Sequence, residues 1–257
     1  MNDDSFEQMH LTGRNYWWYQ AKEHLMKQFL KSAGGLDAPS GRPWILDMGC
    51  GTGTMFGFLA EQGVLVGLDP SPRAIEYARQ RGIAYLVRGD AADAPFAEKS
   101  FHLISLFDAL EHIEDDRAVL HRAHALLADD GVVLVTVPAF QWLHSWRETQ
   151  LGHRRRYTIH SLRRLLASTG FEVSVIRYMY AGLFPLLILK SLKDRIISPP
   201  KTFKSDIVML SEPWNSLLAR WFRVEADMCH RIGLPFGTSV VALARRIPVD
   251  SAGEIHK

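Results

Sequence analysis

The chain has 257 residues, of which 47% are hydrophobic and 23% charged, and its formal net charge is only +2. This length and mixture are typical of one globular α/β domain with room for an insertion. The small net charge gives no support for a nucleic-acid partner, so none is expected. The chain has two cysteines, a polar N-terminus unlike a signal peptide and no apolar run of ~20 residues, which together predict a cytoplasmic location.

Residues 1–43 are predicted to form a helical cap, because apolar side chains recur at helical spacing from Tyr16 to Leu30. From Trp44 onward, short apolar runs alternate with helical patterns. Strands are predicted at 44–49, 64–69, 83–90, 101–110, 131–138, 171–178 and 237–246. Helices are predicted at 55–63, 71–82, 114–131 and 158–170, and Ser71 and Thr158 are the predicted N-cap residues of the second and fourth.

This alternation predicts a doubly wound, mostly parallel seven-stranded sheet of the Rossmann-like kind over residues 44–257. Residues 178–236 interrupt the pattern before the last strand and are interpreted as a helical lid insertion. Residues 212–233 would form the second helix of that lid.

The segment 46–54, LDMGCGTGT, joins the first predicted strand to the first helix, where doubly wound folds bind nucleotides. Glycines let backbone approach a ligand closely, and the helix N-terminus offers free N–H groups. A dinucleotide fingerprint would need glycine where Thr54 stands, and the carboxylate of Asp47 would repel a pyrophosphate. A nicotinamide-dependent oxidoreductase is therefore disfavoured, whereas Asp47 suits a ligand that carries an amino group or a sulfonium.

These features resemble the class I S-adenosylmethionine-dependent methyltransferases, over residues 44–177 and 237–246. The resemblance implies S-adenosylmethionine as cofactor, with Asp69 accepting both ribose hydroxyls and Asp90 near the adenine amino group. The cofactor contacts that it implies are Asp47, Gly49, Cys50, Gly51, Gly53, Asp69, Pro70, Asp90, Ala91 and Phe107. A cofactor-binding protein without catalysis is the alternative from another functional class.

His112, in the segment ALEHI directly after the fourth predicted strand, is a candidate general base, since histidine titrates near neutrality. In the family that the chain resembles, this Glu-His pair often has no catalytic role, so capping or packing is the alternative. No metal site is predicted.

The loop at 139–157 interleaves aromatic and cationic residues and ends in GHRRRY, which resembles the corresponding segment in a bacterial subgroup of the family. Adjacent guanidinium groups repel one another, so acidic partners or solvent should surround Arg154, Arg155 and Arg156. They could also clamp a carboxylate or phosphate of a substrate, and one or two should then face the site. A solvated loop and a nucleic-acid patch are the alternatives. The candidate substrate-binding residues are Trp17, Trp18, His144, Trp146, Arg147, His153, Arg154 and Tyr157, with the two tryptophans either capping the cofactor pocket or packing on the sheet.

The predicted acceptor is a small molecule, and the insertion suggests an alternative. About a dozen apolar residues lie within 178–195. The basic residues Lys190, Lys193 and Arg195 lie toward the end of this range, and Lys201 and Lys204 follow it. An apolar segment beside basic residues suits peripheral contact of 178–204 with an anionic membrane and a lipid-linked acceptor. A lid helix or a dimer contact would explain the same pattern.

Overall fold

The computed structural model describes residues 3–13, 15–36, 41–197 and 210–247. Within them, seven strands form one sheet in the order β3-β2-β1-β4-β5-β7-β6. Strands β1 to β5 pair in parallel, and β7 lies antiparallel between β5 and β6. The predicted doubly wound α/β sheet is therefore confirmed. The strands are β1 Trp44–Met48, β2 Val64–Asp69, β3 Tyr85–Arg88, β4 Phe101–Phe107, β5 Leu127–Pro138, β6 Phe171–Met179 and β7 Ser239–Arg246.

Helices connect and flank these strands, and two of them begin at the predicted caps. Ser71 accepts a hydrogen bond from the Ala74 amide, and Thr158 forms a capping box with Ser161. The helix predicted at 114–131 ends earlier, because Leu127 already pairs with Phe101 of β4. The helices are α1 Asp3–Thr12, α2 Trp17–Ser32, α3 Phe56–Gln62, α4 Pro72–Gln80, α5 Asp116–Leu126, α6 Trp146–Leu151, α7 Ile159–Ala167, α8 Phe184–Ile196 and α9 Glu212–Arg231.

The sheet is covered on both faces, as the alternation along β4 shows. Leu103 belongs to a core cluster with α2, α3 and α9, and Ile104 belongs to a cluster with α5 and α7. Both are fully buried, which is typical of strands in a parallel sheet between two helical layers.

Helix α9 belongs to one of these layers, so its interpretation as a second lid helix is wrong. Its residues Ala219, Phe222, Ala226 and Cys229 recur at helical spacing and are buried in the cluster that contains α2 and the sheet. Helix α8 instead lies beside the loop after β5, where Phe184 contacts Phe140 at a ring-centroid distance of 5.3 Å. The segment 178–236 therefore supplies the end of β6, a helix at the sheet edge and a core helix.

The outer faces of α8 and α9 carry large apolar side chains exposed to solvent. On α8 these are Leu186, Leu189, Leu192 and Ile196, and on α9 they include Trp214, Leu217, Trp221, Val224 and Met228. Lys201 and Lys204 of the proposed membrane segment lie outside the described residues. In the described part of the chain, no helix combines the length and apolar character needed to cross a membrane.

Trp17 and Trp18 join α2 to this part of the structure. The Trp17 ring stacks on Phe222 of α9 at 5.0 Å, and the Trp18 ring stacks on Tyr180, just after β6, at 4.1 Å. The backbone amide of Trp17 also donates to Asn215 of α9 at 2.9 Å. The two tryptophan side chains thus pack against α9 and the residue after β6. This agrees with the alternative that they pack on the sheet instead of capping the cofactor pocket.

Candidate functional site

The carboxyl ends of the parallel strands meet at one edge of the sheet, where the loops after β1, β4 and β5 lie together. Four non-glycine residues of the described chain have a positive φ, and three of them lie at strand ends: Asp108 after β4, Phe140 after β5 and Tyr180 after β6. Such conformations are strained and tend to cluster at functional sites. The structure therefore favours this edge as the place of the chemistry.

The glycine loop is held against β2 by backbone hydrogen bonds. The Gly49 and Cys50 amides donate to the Leu68 carbonyl at 2.7 and 3.0 Å, and the Gly51 amide donates to Asp69 at 2.9 Å. Gly49 has φ +78°, and a Cβ there would lie 2.8 Å from that of Ala109. Only glycine fits this conformation and this space.

Asp47 lies buried at the end of β1, where the Ser105 hydroxyl donates to its carboxylate at 2.6 Å. Burial raises the pKa of Asp47 to about 6, and the nearby Asp69 adds to the rise while Ser105 and Lys22 oppose it. Because a cation would relieve this cost, the site suits the sulfonium or amino group that the sequence predicts.

The other predicted cofactor residues are placed along the same edge. Asp90 is exposed with Oδ1 accepting from the Ala92 amide at 2.8 Å, while Ala91 is buried. Phe107 is half-buried under the Lys22 ammonium, which lies 6.0 Å from the ring centroid. Pro70 is exposed after β2, and Cys50 is buried within the glycine loop. Their contacts with a cofactor stay predictions.

The N-terminal helices contact the glycine loop through residues that the sequence analysis missed. The Met9 methyl group lies 3.8 Å from where a Cβ of Gly51 would be. The Tyr19 side chain hydrogen-bonds to Thr54, and burial raises the pKa of Tyr19 to about 12. The predicted cap therefore reaches the loop through Met9 and Tyr19, whereas Trp17 and Trp18 pack elsewhere.

An ion pair between the buried Lys22 of α2 and the half-buried Asp108 was also missed. Lys22 is only 2% exposed and donates to Asp108, which also accepts from the Thr136 hydroxyl at 3.0 Å. Burial would raise the pKa of Asp108, but Lys22 and Thr136 hold it below the usual value. The sequence did contain one sign of this pair: Lys22 lies on the apolar face of α2 beside Ala21 and Leu25, and a lysine in such a place needs an acidic partner.

Glu111 and His112 follow Asp108 in a short 3-10 turn, Leu110–His112, and meet His153 of the loop after β5. One ligand atom from each of the three residues lies within 4.8 Å of the others. Burial and the neighbouring His153 lower the pKa of His112 to about 4. His112 is therefore neutral near pH 7, and its role as a base stays a prediction.

The three arginines have three different environments. Helix α7 begins at Ile159, so all three arginines precede it. Arg156 is buried and donates to Glu148 at 2.7 and 2.5 Å and to the Ala139 carbonyl. Arg155 pairs with Asp116 at 3.0 Å.

Arg154 is the arginine chosen from the sequence as a substrate contact, but its side chain is 53% exposed. It lies 3.6 Å from Glu114 and donates to the His112 carbonyl. The inward arginine is therefore Arg156, because its buried guanidinium is bound to Glu148. The expected acidic partners are confirmed.

Most other candidate substrate residues contact protein groups. Tyr157 is buried in the core, and its hydroxyl donates to Asp116 at 2.8 Å. His144 hydrogen-bonds to the His153 carbonyl at 3.1 Å. Arg147 pairs with Asp194 of α8 at 2.9 Å and lies over the ring of Trp146. These contacts fix the loop after β5 against α8.

Comparison with known proteins identifies a common family. The model of a methyltransferase domain matches residues 16–174. An uncharacterised protein of Mycobacterium tuberculosis is 34% identical over 164 residues, which cover 53% of this chain and 56% of that protein. A Mycolicibacterium smegmatis protein named as a probable S-adenosylmethionine-dependent methyltransferase is 27% identical, over 63% of this chain and 62% of its own. The chain thus spans less than two thirds of these relatives.

A solved structure shows the same fold. The phosphoethanolamine N-methyltransferase 2 of Haemonchus contortus, in complex with S-adenosyl-L-methionine, matches with a TM-score of 0.55 at 18% identity. The match covers 86% of this chain and 52% of that chain.

The raised pKa of Asp47 predicts how cofactor affinity depends on pH. A bound cation favours the ionised carboxylate, which in the free protein takes up a proton below about pH 6. Affinity for S-adenosylmethionine should be constant above about pH 7 and fall by up to about tenfold per pH unit below pH 6. Calorimetric titrations between about pH 5 and pH 8 measure this. Asp47→Asn should bind more weakly and lose the inflection, and Asp69→Asn should keep it; a flat wild-type profile would contradict the prediction.

The two arginine environments predict different effects on stability. Arg156→Ala leaves the buried carboxylate of Glu148 without its main partner and should cost about 3–5 kcal/mol of unfolding free energy. Arg154→Ala removes an exposed pair and should cost less than about 1 kcal/mol. Urea denaturation compares the variants. Equal losses would show that the environment of Arg156 is misassigned.

Proposed function

Because the chain belongs to the class I S-adenosylmethionine-dependent methyltransferase family, we propose that it transfers a methyl group to a small-molecule acceptor at the carboxyl edge of β4 and β5. The observation that carries the proposal is the group of polar side chains beside the glycine loop: the buried Glu111 and the half-buried Asp108 and His112. Met9 and Tyr19 cover the loop from the N-terminal side. This enclosure favours a small acceptor over a macromolecule.

The residues present fit the cofactor that the family uses. Gly49 leaves a cradle that a Cβ would fill, and the buried Asp47 gains from a nearby cation. Asp69 accepts from two backbone amides, those of Gly51 and Ser71. A carboxylate has about four lone-pair positions, so two remain for ribose hydroxyls. The bound cofactor supplies a methyl group already activated on a sulfonium, so the main task of the protein is to position the acceptor.

The acceptor side offers a neutral imidazole. His112 carries no proton on one ring nitrogen at neutral pH and can take one from an acceptor hydroxyl or amine. The guanidinium of Arg156 is already bound by Glu148, so an anionic acceptor would need other partners than this arginine. The proposal therefore does not depend on a carboxylate or phosphate in the acceptor.

A transfer assay with fractionated acceptors tests the proposal. The protein is incubated with S-adenosylmethionine labelled on its methyl group and with separate bacterial extracts of small metabolites, lipids, protein and RNA. Label should enter the small-metabolite fraction, and Asp69→Ala should reduce the rate at limiting cofactor because ribose hydrogen bonds are lost. Label in protein, in RNA or in no fraction would contradict it.

A lipid-linked acceptor is the second candidate, and the exposed apolar face of α8 supports it. Leu186, Leu189 and Ile196 are exposed on a helix that also carries Lys193 and Arg195. The helix lies beside the loop after β5, near the proposed acceptor site. An interfacial helix of this kind inserts its apolar side chains and pairs its cations with anionic headgroups.

Vesicle binding tests this second candidate. The protein should co-sediment with phosphatidylserine-containing vesicles at low salt and less so at high salt. Leu189→Glu should weaken the binding at least about tenfold, because a charge replaces an inserted side chain. Leu11→Glu changes an equally exposed leucine on α1 and is the matched control. Equal binding by both variants, or label confined to water-soluble metabolites, would reject the membrane role.

A further inference from the structure

Three side chains with metal-ligand chemistry converge at the carboxyl edge of the sheet. Glu111 and His112 come from the turn after β4, and His153 comes from the loop after β5. Their ligand atoms lie within 4.8 Å of one another, and the two imidazole rings meet nearly perpendicular at 4.6 Å. We propose that Glu111, His112 and His153 bind a divalent first-row transition metal ion.

Glu111 is the strongest sign that a ligand belongs here. Its side chain is completely buried, and neither carboxylate oxygen has a hydrogen-bond partner among the described residues. A buried polar group without a partner is costly, and a buried charge without one is costlier still. Glu111 must therefore hold a proton or face a cation.

In the described part of the chain, the cations near Glu111 are paired with other carboxylates. Asp108 is paired with Lys22, and Glu148 is paired with Arg156. A divalent ion would neutralise the buried carboxyl of Glu111, to which the described residues donate no hydrogen bond.

Both histidines are supported from behind, as metal ligands usually are. The Gly152 carbonyl accepts a hydrogen bond from the His112 ring. Nδ1 of His153 lies 3.5 Å from Glu148, which two hydrogen bonds from Arg156 hold in place. Carbonyl and carboxylate groups in such positions orient imidazole ligands and make them more basic. The pairing of Arg156 with Glu148 thus acquires a second role.

The ligand set indicates the class of metal. Two imidazoles and one carboxylate suit Zn²⁺ and its first-row neighbours, whereas Mg²⁺ and Ca²⁺ prefer all-oxygen sites. Tetrahedral ligands of Zn²⁺ lie about 3.3 Å apart, so the side chains must close in by about 1–1.5 Å. Three protein ligands leave a position for water or for an oxygen of an acceptor. Metal binding does not depend on which acceptor the enzyme uses, but an ion on His112 would occupy the ring nitrogen that otherwise acts as a base, so the two roles of His112 are alternatives.

Metal titration of the chelator-treated, desalted full chain tests the site without measuring activity. The wild type should bind one equivalent of Co²⁺ with visible absorption bands, and Zn²⁺ should displace it. Glu111→Gln keeps the shape but removes the charge and should weaken binding at least about tenfold. His153→Ala removes a ligand and should weaken it more. His160→Ala, an exposed histidine on α7, is the matched control and should bind like the wild type.

Thermal unfolding gives a second readout. Zn²⁺ should raise the Tm of the wild type and of His160→Ala, since a ligand that binds only the folded state stabilises it, but not that of Glu111→Gln. If His153→Ala fails to fold, the comparison of Glu111→Gln with the wild type tests the metal site by itself. This variant should fold, because a neutral group of equal size replaces the unpartnered carboxyl. Absence of stoichiometric binding by the wild type would overturn the proposal, as would equal affinities of Glu111→Gln and His160→Ala. Either result would leave the proposed methyl transfer standing.

Discussion

The ion pair between the buried Lys22 of α2 and the half-buried Asp108 fixes α2 to the edge of the sheet that carries the chemistry. An ammonium group 2% exposed keeps its charge only if a partner compensates for lost hydration. Because the pair sets the rotation of α2, it also places Tyr19, one helical turn earlier, against Thr54 of the glycine loop. The Lys22–Asp108 pair therefore positions both helix α2 and the turn that carries Glu111.

Charge pairing also explains how the chain tolerates three consecutive arginines. Each guanidinium goes to a different acidic group, Glu114, Asp116 or Glu148, instead of sharing one solvent face. Burial would raise the pKa of Glu148, but His153 and Arg156 lower it to about 2. The carboxylate therefore stays ionised at neutral pH. The basic run is thus mainly a structural brace for the loop after β5.

Local signals in the sequence were sufficient for most of the fold. Ser71 and Thr158 predict where their helices begin, because N-capping needs only a side-chain oxygen close in sequence to the first free amides of the helix. The conformation of Gly49 is equally local, and the alternation of strands and helices predicts the sheet. The role of α9 was missed because its spacing shows that one face is buried but not which neighbour covers it.

The candidate site was only partly predictable for the same reason. Asp47, Gly49 and Asp69 belong to a motif whose spacing is visible in the chain, and the structure brings them together. Lys22 and Asp108 are 86 positions apart, and no sequence pattern links them. The burial of Glu111 is likewise a property of the assembled edge, because the groups around it include Lys22 of α2 and Glu148 of the loop after β5.

The packing of α2 on α9 has a consequence for the order in which the chain folds. Trp17 and its hydrogen-bond partner Asn215 are separated by 198 positions. At about 5–20 residues per second, a ribosome needs roughly 10–40 s to make the intervening chain. During that time the apolar face of α2, with Leu25 and Phe29, is synthesised but lacks its cover. Helix α2 is thus made well before the helix that covers it, so a nascent chain must keep this face from aggregating until α9 emerges.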